Sequence, residues 1–269
     1  PCAGRCGDLS LVALLPALRR RLGLPAELHV VKAPARECSG LVLLSGCHRA
    51  TERLQQSFSR ARRGGRFPAT YCAVTVGVPA EPEGEIRAAL RWQQQGDTAV
   101  VVPVPAPGRR SLARKEVKNT LTRYRVLGAA GGCALLQLQP KTGERHPDIS
   151  PVSPCCQHGP TSPRVSPAFP EQLPVHLTLL LCPALGDHEH SSRVGRVLGV
   201  PFLLPPEAAP TRAQVRGGAG GLAAAPRAPP DPPSSSQVLD EELVARLGLS
   251  PQQLRRLPLH LHLQRLELP

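Results

Sequence analysis

Apolar and polar positions follow two rhythms along the chain, and the changes of rhythm mark its elements. Residues 10 to 23 keep a helical period. Leu18 and Leu22 share a face, Pro16 suits a first-turn position, Arg19, Arg20 and Arg21 crowd the end, and Gly23 stops the helix. Leu28 to Val31 and Leu41 to Ser45 are short apolar runs expected as strands, joined by a polar loop from Lys32 to Gly40. From Arg49 to Arg63 the helical spacing returns, with Ala50, Leu54, Phe58 and Ala61 on one stripe and Gly64 and Gly65 as the stop. Phe67 to Gly77 then alternates with period two, sending Cys72, Val74 and Val76 one way and Tyr71, Ala73 and Thr75 the other. Further strands are expected at Thr98 to Val104, Thr120 to Leu127, Cys133 to Gln139 and Leu259 to Leu263. Helices are expected at Gln237 to Leu247 and Pro251 to Leu257, the second capped by Ser250 with Gln253 three residues on.

Two stretches have no periodic apolar positions. Pro147 to Pro170 is dense in proline and serine, and Pro205 to Ser236 is rich in proline, glycine and alanine. Such compositions bury too little surface to offset ordering, so both are expected as flexible insertions in a single mixed domain spanning 1–269. The chain begins at Pro1 and contains no methionine, from which an incomplete N-terminus is expected.

Charge sharpens this picture. Lys and Arg number 33 against 20 Asp and Glu, a formal excess of +13. That imbalance favours a polyanionic partner, nucleic acid before a membrane surface. Five arginines of the second helix (Arg49, Arg53, Arg60, Arg62 and Arg63) face a single Glu52, and Arg36 and Arg66 flank them in sequence. They read either as a solvated face or as phosphate contacts. No apolar run approaches the ~18 residues of a membrane span. The nine cysteines include no C-x-x-C pair, which argues against a zinc ribbon or a thioredoxin-like site.

An ordered series of motifs adds a family. "VVKAPARECSGLVLLS" (Val30 to Ser45), the arginine-rich helix and "TYCAVTVG" (Thr70 to Gly77) are followed by "TRYRVLG", "LLQLQPKTGERH", "EQLPVHL", "CPALGDHEH" and "LPLHLHLQRLEL". The series resembles RluA-type pseudouridine synthases, with their H-R-L-D-x-x-T-S-G-L loop, K-x-Y strand, T-G-R-T-H and H-Q-I-R-V-H-L segments, and L-G-D turn. The resemblance implies an α+β fold with a mixed, mainly antiparallel sheet flanked by helices. It also implies an RNA partner, a mitochondrial matrix location, and neither cofactor nor metal.

In that family a carboxylate attacks a flipped-out uridine, the glycosidic bond breaks, and the uracil rejoins through carbon. Ala35 occupies the aspartate position, so the nucleophile is missing. Glu37, two residues on, is the substitute the loop offers, although a misplacement near 1 Å costs roughly 100-fold in rate. The arginine that partners the aspartate falls at Pro174, and the lysine before the family tyrosine falls at Ala69. Tyr71 remains; in the family it packs on the base and handles protons, and its strand face suits a cleft or an ordinary half-buried aromatic.

His260 and His262 share a strand face, and Gly186 to His190 concentrates His, Asp and Glu. Neither supplies a metal set: the first lacks a third ligand and the second matches a structural turn. Two functions follow. One is an RNA-binding pseudouridine synthase homologue acting in mitochondrial RNA with a degenerate active site. The other is a non-catalytic RNA-binding protein supporting mitochondrial ribosome assembly or translation.

Overall fold

The computed structural model describes residues 11–35, 38–95, 98–105, 117–142, 171–205, 237, 239 and 241–268. Among these, α1 (Leu11–Arg21), β1 (His29–Lys32), β2 (Ser39–Gly40), β3 (Leu43–Ser45), α2 (His48–Arg63) and β4 (Ala69–Val76) come first. Then follow β5 (Glu83–Gln95), β6 (Thr98–Val104), β7 (Val117–Ala130), β8 (Cys133–Thr142) and α3 (Gln172–Leu179). The chain closes with β9 (Val194–Val197), β10 (Val200–Leu203), α4 (Glu241–Leu247), α5 (Pro251–Arg255) and β11 (Leu261–Leu266). Residues 147–170 and 206–236, the two expected insertions save Pro205, lie outside the described residues.

Seven strands form one sheet in the order β2-β11-β4-β8-β7-β5-β6. Only the β11–β2 pair is parallel, so the sheet is mixed and mainly antiparallel, as the family resemblance implies. Its inner face is set by alternation. Tyr71 and Ala73 of β4 stand opposite Leu138 and Leu136 of β8 and Leu263 and Leu261 of β11. All six are at most 5% exposed and pack against Leu173 and Leu177 of α3. Each buried leucine contributes roughly 1.5–3 kcal/mol, and a one-residue slip would turn the whole set to solvent. A smaller cluster joins Val76, Leu185, Leu239 and Leu243.

Polar bonds pin α3 to the inner face. Gln172 Nε2 donates to the Leu121 carbonyl (2.9 Å) and to Thr122 Oγ1 (3.1 Å). His176 Nε2 lies 2.8 Å from Thr120 Oγ1, which itself donates to the Ala88 carbonyl at 2.8 Å. The threonine proton is thus committed, and the imidazole must donate from Nε2.

Several sequence expectations are corrected. Pro16 is the sixth residue of α1 rather than a first-turn proline, so the helix loses an interior hydrogen bond. Only Leu15 of α1 is buried, and Leu22 is 58% exposed. The 13-residue β5, the helix α3 and the β9–β10 hairpin are elements that periodicity did not mark. The helix expected from Gln237 is described only from Glu241. The Ser250–Gln253 capping box forms as expected, with Gln253 N to Ser250 Oγ at 3.3 Å and Ser250 N to Gln253 Oε1 at 2.8 Å.

Candidate active site and RNA-facing surface

The β1–β3 pair and α2 form one unit that carries the motif loop. Gln55 Nε2 of α2 donates to the Val30 carbonyl at 3.1 Å, while Val31 and Phe58 are buried at 3% and 4% exposure. The loop leaves β1 after Lys32 and docks on the sheet through Gly40. This glycine has φ +130°, and a Cβ built on it would lie 2.5 Å from both the backbone N and O of Leu263. Only glycine fits there. Leu263 is registered with Gly40 on one side and with Tyr71 on the other, so the loop motif and the tyrosine strand are separated by one strand.

Ala35 is exposed on this loop, and its carbonyl accepts the Cys38 N–H at 3.0 Å. Tyr71 is 5% exposed, so its ring belongs to the core rather than to an open cleft. Burial pushes its phenol up to about 12, with Cys38 adding to the rise and the Arg62 guanidinium opposing it. Lys32 is pulled down to about 8, first by burial and then by Arg62. Arg62 thus bears on both Lys32 and Tyr71, and Cys38 on Tyr71. Among the described residues, no carboxylate shifts either Tyr71 or Lys32.

The arginines divide. Arg49, Arg53 and Arg60 are exposed and fall on one face of α2 by their spacing of four and seven, and Arg66 is exposed just beyond the helix. Arg62 is half-buried and belongs with Lys32 and Tyr71 instead. Arg63 completes α2, while Arg36 and Glu37 lie outside the described residues.

Pro174 is the third residue of α3 and is buried. The first backbone N–H groups of a helix have no partner within it, so a proline at this position costs no helical bond. The histidine-rich turn is structural. Asp187 Oδ1 accepts from the backbone N–H of Glu189 (3.1 Å) and His190 (2.8 Å). His188 Nδ1 accepts from Gln237 N at 2.8 Å, and its Nε2 lies 2.9 Å from the Leu257 carbonyl. His190 Nε2 sits 3.4 Å from Glu171 Oε2. His262 Nδ1 meets Ser39 Oγ at 2.9 Å, and His260 Nδ1 lies 2.8 Å from the Pro258 carbonyl. Among the described residues no group of three or more His, Cys, Asp or Glu side chains could hold a metal ion.

The profile of the RNA pseudouridylate synthase family matches residues 13–147, half of the chain, and spans the loop, α2 and the tyrosine strand. The chain belongs to this family. It is 43% identical over 270 residues to the mitochondrial mRNA pseudouridine synthases Rpusd3 of Mus musculus and RPUSD3 of Homo sapiens. Those alignments cover 100% of this chain but only 64% and 63% of the relatives' lengths. The mitochondrial pseudouridylate synthase RPUSD4 of Xenopus tropicalis is 29% identical over 97% of this chain and 64% of its own length. In fold, the chain is similar to the solved structure of human RNA pseudouridylate synthase domain containing 4, with a TM-score of 0.58 at 23% identity over 96% of this chain and 74% of that one.

Gly40, Tyr71 and the L-G-D turn stand where the fold needs them. Where the resemblance sets the family's carboxylate and its arginine partner, this chain has Ala35, exposed on the loop, and Pro174, buried in α3. Sequence reasoning missed that Arg62 bears on both Lys32 and Tyr71.

Proposed function

We propose that this chain is an RNA-binding pseudouridine synthase homologue that serves pseudouridine formation in mitochondrial RNA, messenger RNA included, from the mitochondrial matrix. The carrying observation is the docking of the motif loop through Gly40, one strand away from Tyr71, beneath an arginine-lined helix. Arg49, Arg53 and Arg60, with Arg36, Arg63 and Arg66, hold the RNA backbone through charge. Tyr71 keeps its proton at neutral pH, and Lys32, at about 8, exchanges one readily near neutrality. Neither supplies the carboxylate of the family's covalent route, so conversion by this site is slow.

The test measures uridine-to-pseudouridine conversion by purified protein on a mitochondrial transcript, beside the Ala35→Asp/Pro174→Arg double variant. Slow conversion by the parent, accelerated at least tenfold by restoring both charges, is expected. Efficient turnover abolished by Glu37→Gln would instead make Glu37 the nucleophile. The paired loss at Ala35 and Pro174 favours a second reading, a non-catalytic RNA-binding protein supporting mitochondrial ribosome assembly or translation. No conversion by the parent, with RNA binding intact, selects it. Absence of RNA binding at low ionic strength overturns both.

A further inference from the structure

The outer face of the sheet, opposite α3, carries polar side chains in registered rows. One row runs Ser39, His262, Cys72, Gln137, Arg125 and Glu83 across β2, β11, β4, β8, β7 and β5. It begins in the motif loop, where Ser39 Oγ meets His262 Nδ1 at 2.9 Å. The next rows place Gln139 beside Arg123 and Glu85, and Lys141 beside Leu121 and Arg87. Arg87, Arg123, Arg125 and Lys141 thus oppose the carboxylates of Glu83 and Glu85. Glu85 is shared, with Arg87 Nη2 at 2.6 Å and Arg123 Nε at 2.8 Å, so one acid serves two guanidiniums and positive charge remains. Arg123 also lies 4.6 Å over the Phe67 ring, just past α2. At the far end Arg87 and Lys141 help line an open cavity of about 960 Å³ that passes around the sheet's end to Thr120, Leu179 of α3, Leu203 and Leu204.

We propose that this outer face is a track for single-stranded RNA, leading the strand away from the motif loop over Gln137, Arg123 and Arg125 to the cavity at Arg87 and Lys141. The inference rests on the RNA-binding reading above. Net positive charge on a flat, hydrogen-bonding sheet face suits a ribose–phosphate backbone, which demands cations at intervals and little sequence readout. The track is continuous with the arginine helix: a side chain added at Gly65, beyond the end of α2, would lie 3.7 Å from Lys141 Nζ. The cavity volume is within the roughly 300–1,000 Å³ of small-ligand pockets, enough for a nucleotide.

The experiment titrates the whole chain with a uridine-containing single-stranded RNA by fluorescence anisotropy, from low to high salt. The variants are Arg123→Gln/Arg125→Gln/Lys141→Gln, the charge-keeping Arg123→Lys/Arg125→Lys/Lys141→Arg, and Arg53→Gln/Arg60→Gln on α2. Loss of three phosphate contacts should weaken binding at least tenfold and flatten the slope of log K against log salt by about 2, given ~0.7 per contact for single strands. The charge-keeping variant should retain the parent's slope, which a merely structural role would not distinguish. An unchanged slope in the glutamine variant, with α2 variants weakened, overturns the track and leaves the RNA-binding reading standing. No binding by the parent overturns that reading itself.

Discussion

The two faces of the seven-stranded sheet are made by the same strands and are opposites in chemistry. On the inner face β4, β8 and β11 contribute Tyr71, Ala73, Leu136, Leu138, Leu261 and Leu263, all buried in one cluster with Leu173 and Leu177 of α3. On the outer face the intervening residues are Cys72, Gln137, Gln139, Arg123, Arg125 and Lys141, open to solvent or half open. On the inner face Gln172 bonds β7 through Nε2, and His176 does so through Nε2, while its Nδ1 has no partner among the described residues. The outer face keeps its charges solvated. Burial is therefore concentrated on one side and solvated charge on the other.

The largest effect should come from the contact that fastens the motif loop to the sheet. Gly40→Val puts a branched side chain at φ +130° against the Leu263 backbone. A cost of about 4 kcal/mol or more is expected, from backbone strain and overlap together. Thermal unfolding and hydrogen exchange at the Leu41 amide, which bonds the Leu263 carbonyl at 3.0 Å, would read it. A variant with the parent's melting temperature and a protected Leu41 amide would show that the close approach is not required.

Next in size is the contrast between neighbours on one strand. Leu136→Ala empties a fully buried site on the inner face and should cost about 2–5 kcal/mol. If a denaturant titration found it as mild as a surface substitution, the inner face would not be the principal core.

How legible this division is from sequence depends on the strand. Tyr71 to Val76 alternates cleanly, so its faces are separable by eye, although which face is dry is not: Tyr71 looks like a cleft residue and is core. β5 is harder. "EGEIRAALRWQQQ" is built from good helix formers, and adjacent Ala88 and Ala89 blur its alternation. Its strand conformation comes from pairing with β7 over Glu83 to Arg91, a long-range fact. α3 escapes for the opposite reason: with Gln172 to Thr178 all buried it has no polar stripe to announce a helix. At the site, the motif residues Gly40 and Tyr71 were identifiable because the family order carries them. The role of Lys32 was not, since it arises from burial beside Arg62.

Two bases with lowered pKa values, buried His176 and half-buried Lys32, both make stability rise with pH, in separate windows. His176 is lowered to about 4 by burial, against 6.5 when unfolded. The unfolded chain takes up the proton first, so stability should fall as pH drops from 6.5 to 4 and lose nothing further to this group below that. His176→Gln, which can still donate to Thr120, should flatten that window in acid unfolding curves. Lys32 is lowered to about 8 against 10.5, so its burden is full below pH 8 and relieved as pH rises to 10.5. Lys32→Met should therefore be more stable than the parent at neutral pH, with the difference vanishing toward pH 10.5. Equal stability of the two at pH 7 would mean that Lys32 is well solvated and free of the burial and the Arg62 charge that lower its pKa.

The smallest expected change is the most informative about the outer face. Gln137 sits one residue from Leu136 and points the other way, between Cys72 and Arg125. Gln137→Ala removes no buried contact, so its effect on unfolding should stay within about 0.5 kcal/mol. Its effect on single-stranded RNA should exceed that, because a backbone crossing this row loses a hydrogen-bonding amide at the midpoint of its path. A several-fold weaker affinity at unchanged salt slope is the expected signature, since no charge has been removed. If affinity is unmoved while Leu136→Ala unfolds the protein, the outer face is merely a solvated surface, and the division of labour reduces to core against solvent.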